Sequence, residues 1–268
     1  MNNNLINDFK QSKLMNAIAL HDFSIENYDH KGWVNYCVQL MNQYGLIPTR
    51  MGISAPSIKS EKMKTYIREV KTLDKIDTNS VTSISLQATI HASDDSWKDY
   101  LFHCGLSYCH EKKVSFVLVF CDDIHHTLKN EINEIAKNLS QYFKPKYGYY
   151  YQRMRSKGPH CYATGTVMNL EREDEESTKI DTWGKKFRIN NNYKTGDLRD
   201  IYPMNLLVNE HLNRNVLNGK TLKDFIISDQ RHGALEPLDE QRFAWWVENE
   251  NIPLVRESLR SSGIIIAG

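Results

Sequence analysis

The sequence predicts an α+β fold: a largely antiparallel sheet with helices packed on it, and a smaller C-terminal α/β unit. Three observations carry this. Apolar residues recur at intervals of 3 or 4 in some segments and alternate or run unbroken in others, which separates helices from strands. Through residue 168 the segments read β-α-β-α-β-β-β-α-β-β, with strands grouped rather than alternating with helices. No GxGxxG or GxxxxGK[ST] occurs to anchor a nucleotide on a doubly wound parallel sheet.

Taken in order, KLMNAIALHDF (13–23) reads as a first strand, with His21 and Asp22 at its end as a weak pair beside a cleft. HKGWVNYCVQLMNQYG places Trp33, Val34, Cys37, Leu40, Met41 and Tyr44 on one helical face, ended by Gly45. LIPTRMGIS is extended. EKMKTYIREVKTL forms a second helix that turns Met63, Ile67 and Val70 inward and Glu69 to solvent. SVTSISLQATI alternates as a half-buried strand. YLFHCGLSYCH and KVSFVLVFCDD flank a short charged link and predict a hairpin, the second strand apolar throughout. LKNEINEIAKNLSQYF is a helix with Leu128, Ile132, Ile135 and Leu139 on one face. YGYYYQRM and CYATGTVM read as two strands around RSKGPH. The charge-rich run 169–197 is a polar connection, helical around Trp183. Beyond it TLKDFIIS and IPLVRESLRSSG read as helices, RFAWWVEN and GIIIAG as strands. The domain reading is therefore 1–168, the connection 169–197, and 198–268 packed on the first.

At 268 residues with 40% apolar and 25% charged residues, the chain has the balance of a soluble globular protein. A formal net charge of +1 gives the whole molecule no field for polyanions, so such binding requires local clustering. Five cysteines without a CxxC pair argue against a disulfide framework and a structural zinc site. No apolar stretch approaches a membrane span or a signal-peptide core, which predicts a cytoplasmic protein without membrane contact.

Local clustering does occur. Lys144 to Gly165, KPKYGYYYQRMRSKGPHCYATG, holds five basic residues, five tyrosines and no acid. On a strand, Tyr147, Tyr149, Tyr151 and Arg153 share one face, which could stack bases or close on a protein, because tyrosine offers contact area at little entropy cost. Arg155, Lys157 and His160 lie in the following turn. Tyr149, Tyr151, Arg153, Arg155, Lys157 and His160 are the expected partner-binding set. The alternative is that the rings simply cover a neighbouring helix.

Two further segments carry candidates. CDDIHH follows the most apolar strand, and Asp122, Asp123 and His125 are of the types that hold a divalent metal, but the motif is short and nonspecific, and the stronger reading makes the acids turn and helix-entry residues. LRDIYPMNLLVNEHLNRN offers a candidate cleft lined by Arg199, Asp200, Tyr202, Asn205 and His211, against a reading in which the segment docks by its apolar side chains. There is no GxSxG elbow and no complete catalytic signature, so the residues imply neither an enzyme nor a cofactor.

GPHCYATG, LRDIYPMNLL, TLKDFI, LEPL, IPLVRESL and GIII together resemble uncharacterised bacterial proteins found among type VI and polymorphic-toxin immunity proteins, over roughly the second half of the chain. The resemblance implies a cytoplasmic protein that binds and neutralises a protein toxin without turnover and without cofactor. One departure is that many immunity proteins are markedly acidic, whereas this chain is near neutral with a basic stretch. The expectation is thus a noncatalytic protein-binding protein of a bacterial conflict system. A defence-type nucleic-acid-binding protein or metal-dependent nuclease, using the Lys144–Lys157 stretch, is the alternative.

Overall fold

The structure, a computed structural model, describes residues 13–22, 29–58, 63–89, 100–109, 113–121, 129–166, 175–186, 196–217 and 219–266. In chain order these form β1 (Leu14–Asp22), α1 (His30–Gln43), β2 (Arg50–Ser54), β3 (Lys64–Thr65), α2 (Tyr66–Leu73), β4 (Ser83–Thr89), β5 (Tyr100–Cys109), β6 (Lys113–Cys121), α3 (Lys129–Leu139) and β7 (Tyr147–Met154). They continue with α4 (Pro159–Thr164), α5 (Glu175–Lys185), β8 (Met204–Val208), α6 (Asn209–Leu212), β9 (Asn215–Leu217), β10 (Lys220–Thr221), α7 (Leu222–Ile227), β11 (Ala234–Pro237), β12 (Arg242–Trp246) and α8 (Ile252–Leu259). Ten strands build a large antiparallel sheet, so the α+β class holds. Among the described residues no helix is long and apolar enough to cross a membrane.

The chain divides into two compact units, each discontinuous in sequence. The first comprises Met1–Ala17, Ser24–Lys144 and Gln152–His160; the second comprises Ile18–Phe23, Pro145–Tyr151 and Cys161–Gly268. These bounds do not coincide with a linear division at 168 and 198.

In the first unit the strand order runs β6-β5-β4-β2-β3. The hairpin pairs β5 with β6 antiparallel from Phe102↔Phe120 to Cys109↔Lys113. The apolar run FVLVF suits β6 because Phe116 to Phe120 are all buried. Helix α1 begins at Asp29, whose carboxylate accepts from the Gly32 N–H at 2.7 Å. Its Trp33 meets Phe116 edge-on at 5.5 Å, and Phe116 lies 4.8 Å from Phe143 beyond α3. Cys37, Cys104 and Cys121 are buried and form no disulfide.

The expected second helix is corrected in its extent over the described residues and in its face. Thr65 is extended and the helix starts at Tyr66, which turns Glu69 and Leu73 inward and leaves Ile67 exposed. Glu69 is tolerated inside because the Lys64 ammonium lies 3.3 Å from its carboxylate.

In the second unit the order runs β11-β12-β8-β7. Three expectations are corrected here. CYATGTVM, expected as a strand, begins within helix α4: Gly158, at φ 56°, reverses the chain, Pro159 presets the first helical φ, and Gly165 at φ 70° ends the helix. GIIIAG gives no strand among its described residues, only a bridge between Leu198 and Ile265, with the Leu198 N–H donating to the Ile264 carbonyl at 2.8 Å. MNLLV, expected only as a docking segment, is a strand buried along its whole length, starting directly after Pro203.

Candidate functional site

Strand β7 organises the polar interior of the second unit. Alternation puts Tyr147, Tyr149 and Tyr151 on one face of the strand. Antiparallel register sets Tyr149 opposite Asn205 of β8, and Asn205 opposite Trp245 of β12, so these side chains share that face.

Onto it comes Arg199, whose residue is 1% exposed. Its backbone N–H donates to Tyr147 Oη at 2.9 Å. Its Nη1 donates to Tyr149 Oη at 2.6 Å and to the Ala163 carbonyl at 3.3 Å, and Tyr149 Oη donates to the same carbonyl at 3.2 Å. The guanidinium carbon lies 4.1 Å from the centre of the Tyr162 ring, 4.9 Å from Trp183 and 5.5 Å from Tyr149. Tyr202 stacks on Tyr149 at 4.3 Å, and its hydroxyl is 2.9 Å from that of Tyr162.

The neighbouring acid does not neutralise this cation. Asp200 is held bidentately by Arg256, Nε to Oδ1 at 2.6 Å and Nη2 to Oδ2 at 3.0 Å. Among the described residues Arg199 has no carboxylate partner. A buried cation without a counter-ion costs several kcal/mol. Three aromatic faces at about 0.5–2 kcal/mol each, and two charge-assisted hydrogen bonds, offset that cost.

Burial sets the protonation of the cluster. It raises Tyr149 to about 12 against the pull of Arg199, and raises Tyr147 and Tyr202 well above the ordinary phenol value. His21, stacked on Tyr147 at 6.1 Å, is lowered to about 3 by burial and then by Arg199. His211, stacked on Tyr147 at 5.5 Å, is lowered to about 3 by burial and then by Arg214. At pH 7 these phenols are protonated and these imidazoles neutral. The assembly donates, stacks and positions, and Arg199 is its fixed charge.

The candidate-cleft residues therefore do come together. Arg199, Tyr202, Asn205 and His211 are all buried in the second unit, with Asp200 half-buried beside them. Asn205 Nδ2 donates to the Tyr202 carbonyl at 2.9 Å, and Asn205 Oδ1 and His211 Nε2 are enclosed without a hydrogen-bond partner among the described residues.

The aromatic face is placed differently from the expectation that it is open. Tyr149 is fully buried and Tyr151 is 5% exposed, because Arg199 and Tyr202 cover the face that alternation defines. Arg153, in the first unit, is also buried; its Nε donates to the Lys157 carbonyl at 2.8 Å and fastens the 3₁₀ turn Arg155–Lys157. Lys157 is exposed and Arg155 half-buried.

His160 stands edge-on to His103 of β5 at 4.8 Å, in the first unit, and the Gln87 amide lies 3.0 Å from His103 Nδ1. Burial lowers His160 to about 4 and His103 well below the ordinary value, so the pair is uncharged at neutral pH. Among the described residues no three His, Cys, Asp or Glu side chains gather to hold a metal. Asp122, Asp123 and His125 lie outside the described residues.

Sequence reasoning missed Tyr162 and the Ala163 carbonyl as parts of the cluster. Their segment reads as a strand by alternation, and the signal that finds them is the Gly158–Pro159 helix start.

No family model and no curated protein matches the sequence. Among solved structures, the fold is similar to that of a Pseudomonas aeruginosa T6SS protein, PA0821, with a TM-score of 0.62 and 10% identity, covering 94% of this chain and 77% of that one. At that identity the likeness is one of fold, and it links this α+β architecture to one found in a type VI secretion protein.

Proposed function

We propose that the protein is a noncatalytic protein-binding component of a bacterial conflict system, most concretely an immunity protein that holds and neutralises a toxin. The observation that carries this reading is the fold likeness to a T6SS protein over 94% of the chain. The character of the Arg199 cluster supports it: its tyrosines and histidines keep their charge state near neutrality, which suits a rigid binding scaffold better than proton transfer.

On this reading the turn Arg155–Lys157 contacts the partner, led by the exposed Lys157, with Arg153 bracing it from within and His160 following it on α4. Tyr149 and Tyr151 act in the scaffold of the second unit. Affinity purification of the tagged chain from its native host, before and after nuclease, is the test. A protein partner that survives nuclease and is lost with Arg155→Ala plus Lys157→Ala supports the reading. Recovery of nucleic acid whose binding falls steeply with salt overturns it, because phosphate contacts release counterions.

A further inference from the structure

A second surface in the first unit has the composition of a docking site. Ile47 is 76% exposed and Ile67 is 71% exposed, two of the most exposed large apolar side chains among the described residues. The segments that bear them adjoin: the Tyr66 N–H donates to the Thr49 carbonyl at 3.0 Å, continuing the β2–β3 ladder Arg50↔Thr65, and so sets the Ile47 segment beside the start of α2. Among the described residues strand β3 is an edge of the sheet, the kind of position where another chain can pair.

Three exposed cations follow Ile67 along the chain. Arg68, Lys71 and Lys75 follow one another at helical spacing along α2 and its C-terminal end, all exposed, and among the described residues none has an ion-pair partner. The acids nearby are already engaged: Glu69 is buried against Lys64, and Asp74 lies 3.1 Å from the Lys31 ammonium.

We propose that Ile47, Ile67, Arg68, Lys71 and Lys75 form an interaction surface for an acidic protein segment that places an apolar side chain against the isoleucines. Apolar anchors ringed by unpaired like charge are what a complementary protein interface uses. Two exposed isoleucines have no role on a phosphate backbone, which favours protein over nucleic acid as the occupant. The inference rests on the protein-binding reading above and adds a surface distinct from the Arg155–Lys157 turn.

The experiment places the photo-crosslinker p-benzoylphenylalanine at position 67 of the full chain, with a control at position 227, where Ile227 is 67% exposed in the second unit. It is run in the native host with and without nuclease, beside affinity purification of Ile67→Asp plus Lys71→Glu and of Arg68→Ala plus Lys71→Ala. The expected result is a nuclease-resistant adduct at 67 and not at 227, to a partner peptide rich in Asp and Glu. Both double variants should recover at least tenfold less of that partner while melting within a few degrees of wild type. If the partner is captured equally by both variants and no adduct forms at 67, this surface is wrong and the protein-binding reading stands. An adduct to nucleic acid, or to a peptide without acidic residues, overturns the proposed occupant. If the wild-type chain captures no protein at all, the binding reading fails and this surface falls with it.

Discussion

Arg199 keeps its charge while enclosed by neutral groups, so each group that touches it carries more than an ordinary share of stability. Tyr149→Phe removes the hydroxyl that accepts from Nη1 at 2.6 Å and should cost about 1–3 kcal/mol in urea unfolding, because a charged donor loses a buried acceptor. Arg199→Met, which fills the space without charge, should cost less than Arg199→Ala, for which truncation of a buried side chain predicts about 2–5 kcal/mol. Equal losses for the two would show that cavity size does not decide the effect. The buried histidines add a pH term of definite sign. His21 and His211 take up a proton near the ordinary 6.5 when unfolded but only near 3 when folded, so the unfolded chain binds more protons between those values. Stability is complete above about pH 6.5 and falls toward pH 3 by up to about 1.4 kcal/mol per unit for each histidine. Denaturant midpoints at pH 7 and pH 5 check this, and His211→Gln should shrink the difference between them.

At the level of elements, the cluster depends on how closely α4 and α5 approach. Gly184 of α5 packs on the backbone of Gly165, and a methyl group at 184 would collide with the Gly165 carbonyl. Gly184→Ala should therefore lower the melting temperature by several degrees, whereas alanine at Gly45, where nothing lies within reach, meets only the strain of its positive φ. The same elements show what was legible in the sequence. The β5–β6 hairpin was readable because a short charged link joins two apolar strands, and α1 and α3 because their buried residues recur at 3 and 4. Helix α4 was not, since CYATGTVM alternates like a strand and only its Gly-Pro entry reveals the helix. Arg199, Tyr202, Asn205 and His211 were visible as one polar-apolar segment. What the sequence could not say is that Arg199 itself covers the tyrosine face of β7, because alternation defines a face but not the group that lies on it.

For the whole molecule, the two compact units share the strands β1 and β7, so neither is a continuous piece of chain. A fragment spanning 198–268 keeps β8 but loses β7, its partner at Gly148↔Leu206, and leaves Arg199 without Tyr147, Tyr149, Ala163 and Trp183. It should be unfolded by circular dichroism; a cooperative thermal transition in that fragment would show that the unit does not need the shared strand.

The interleaving also orders events during synthesis. His21 leaves the ribosome long before Tyr147 and Trp183, the rings it packs against, so the apolar strand that bears it must wait through translation of most of the first unit. Such long-range closure is slow relative to local helix formation. The nascent chain therefore carries β1 without its sheet neighbour β7 until residue 154 has emerged, and slowing translation after residue 144 should increase its recruitment of chaperones.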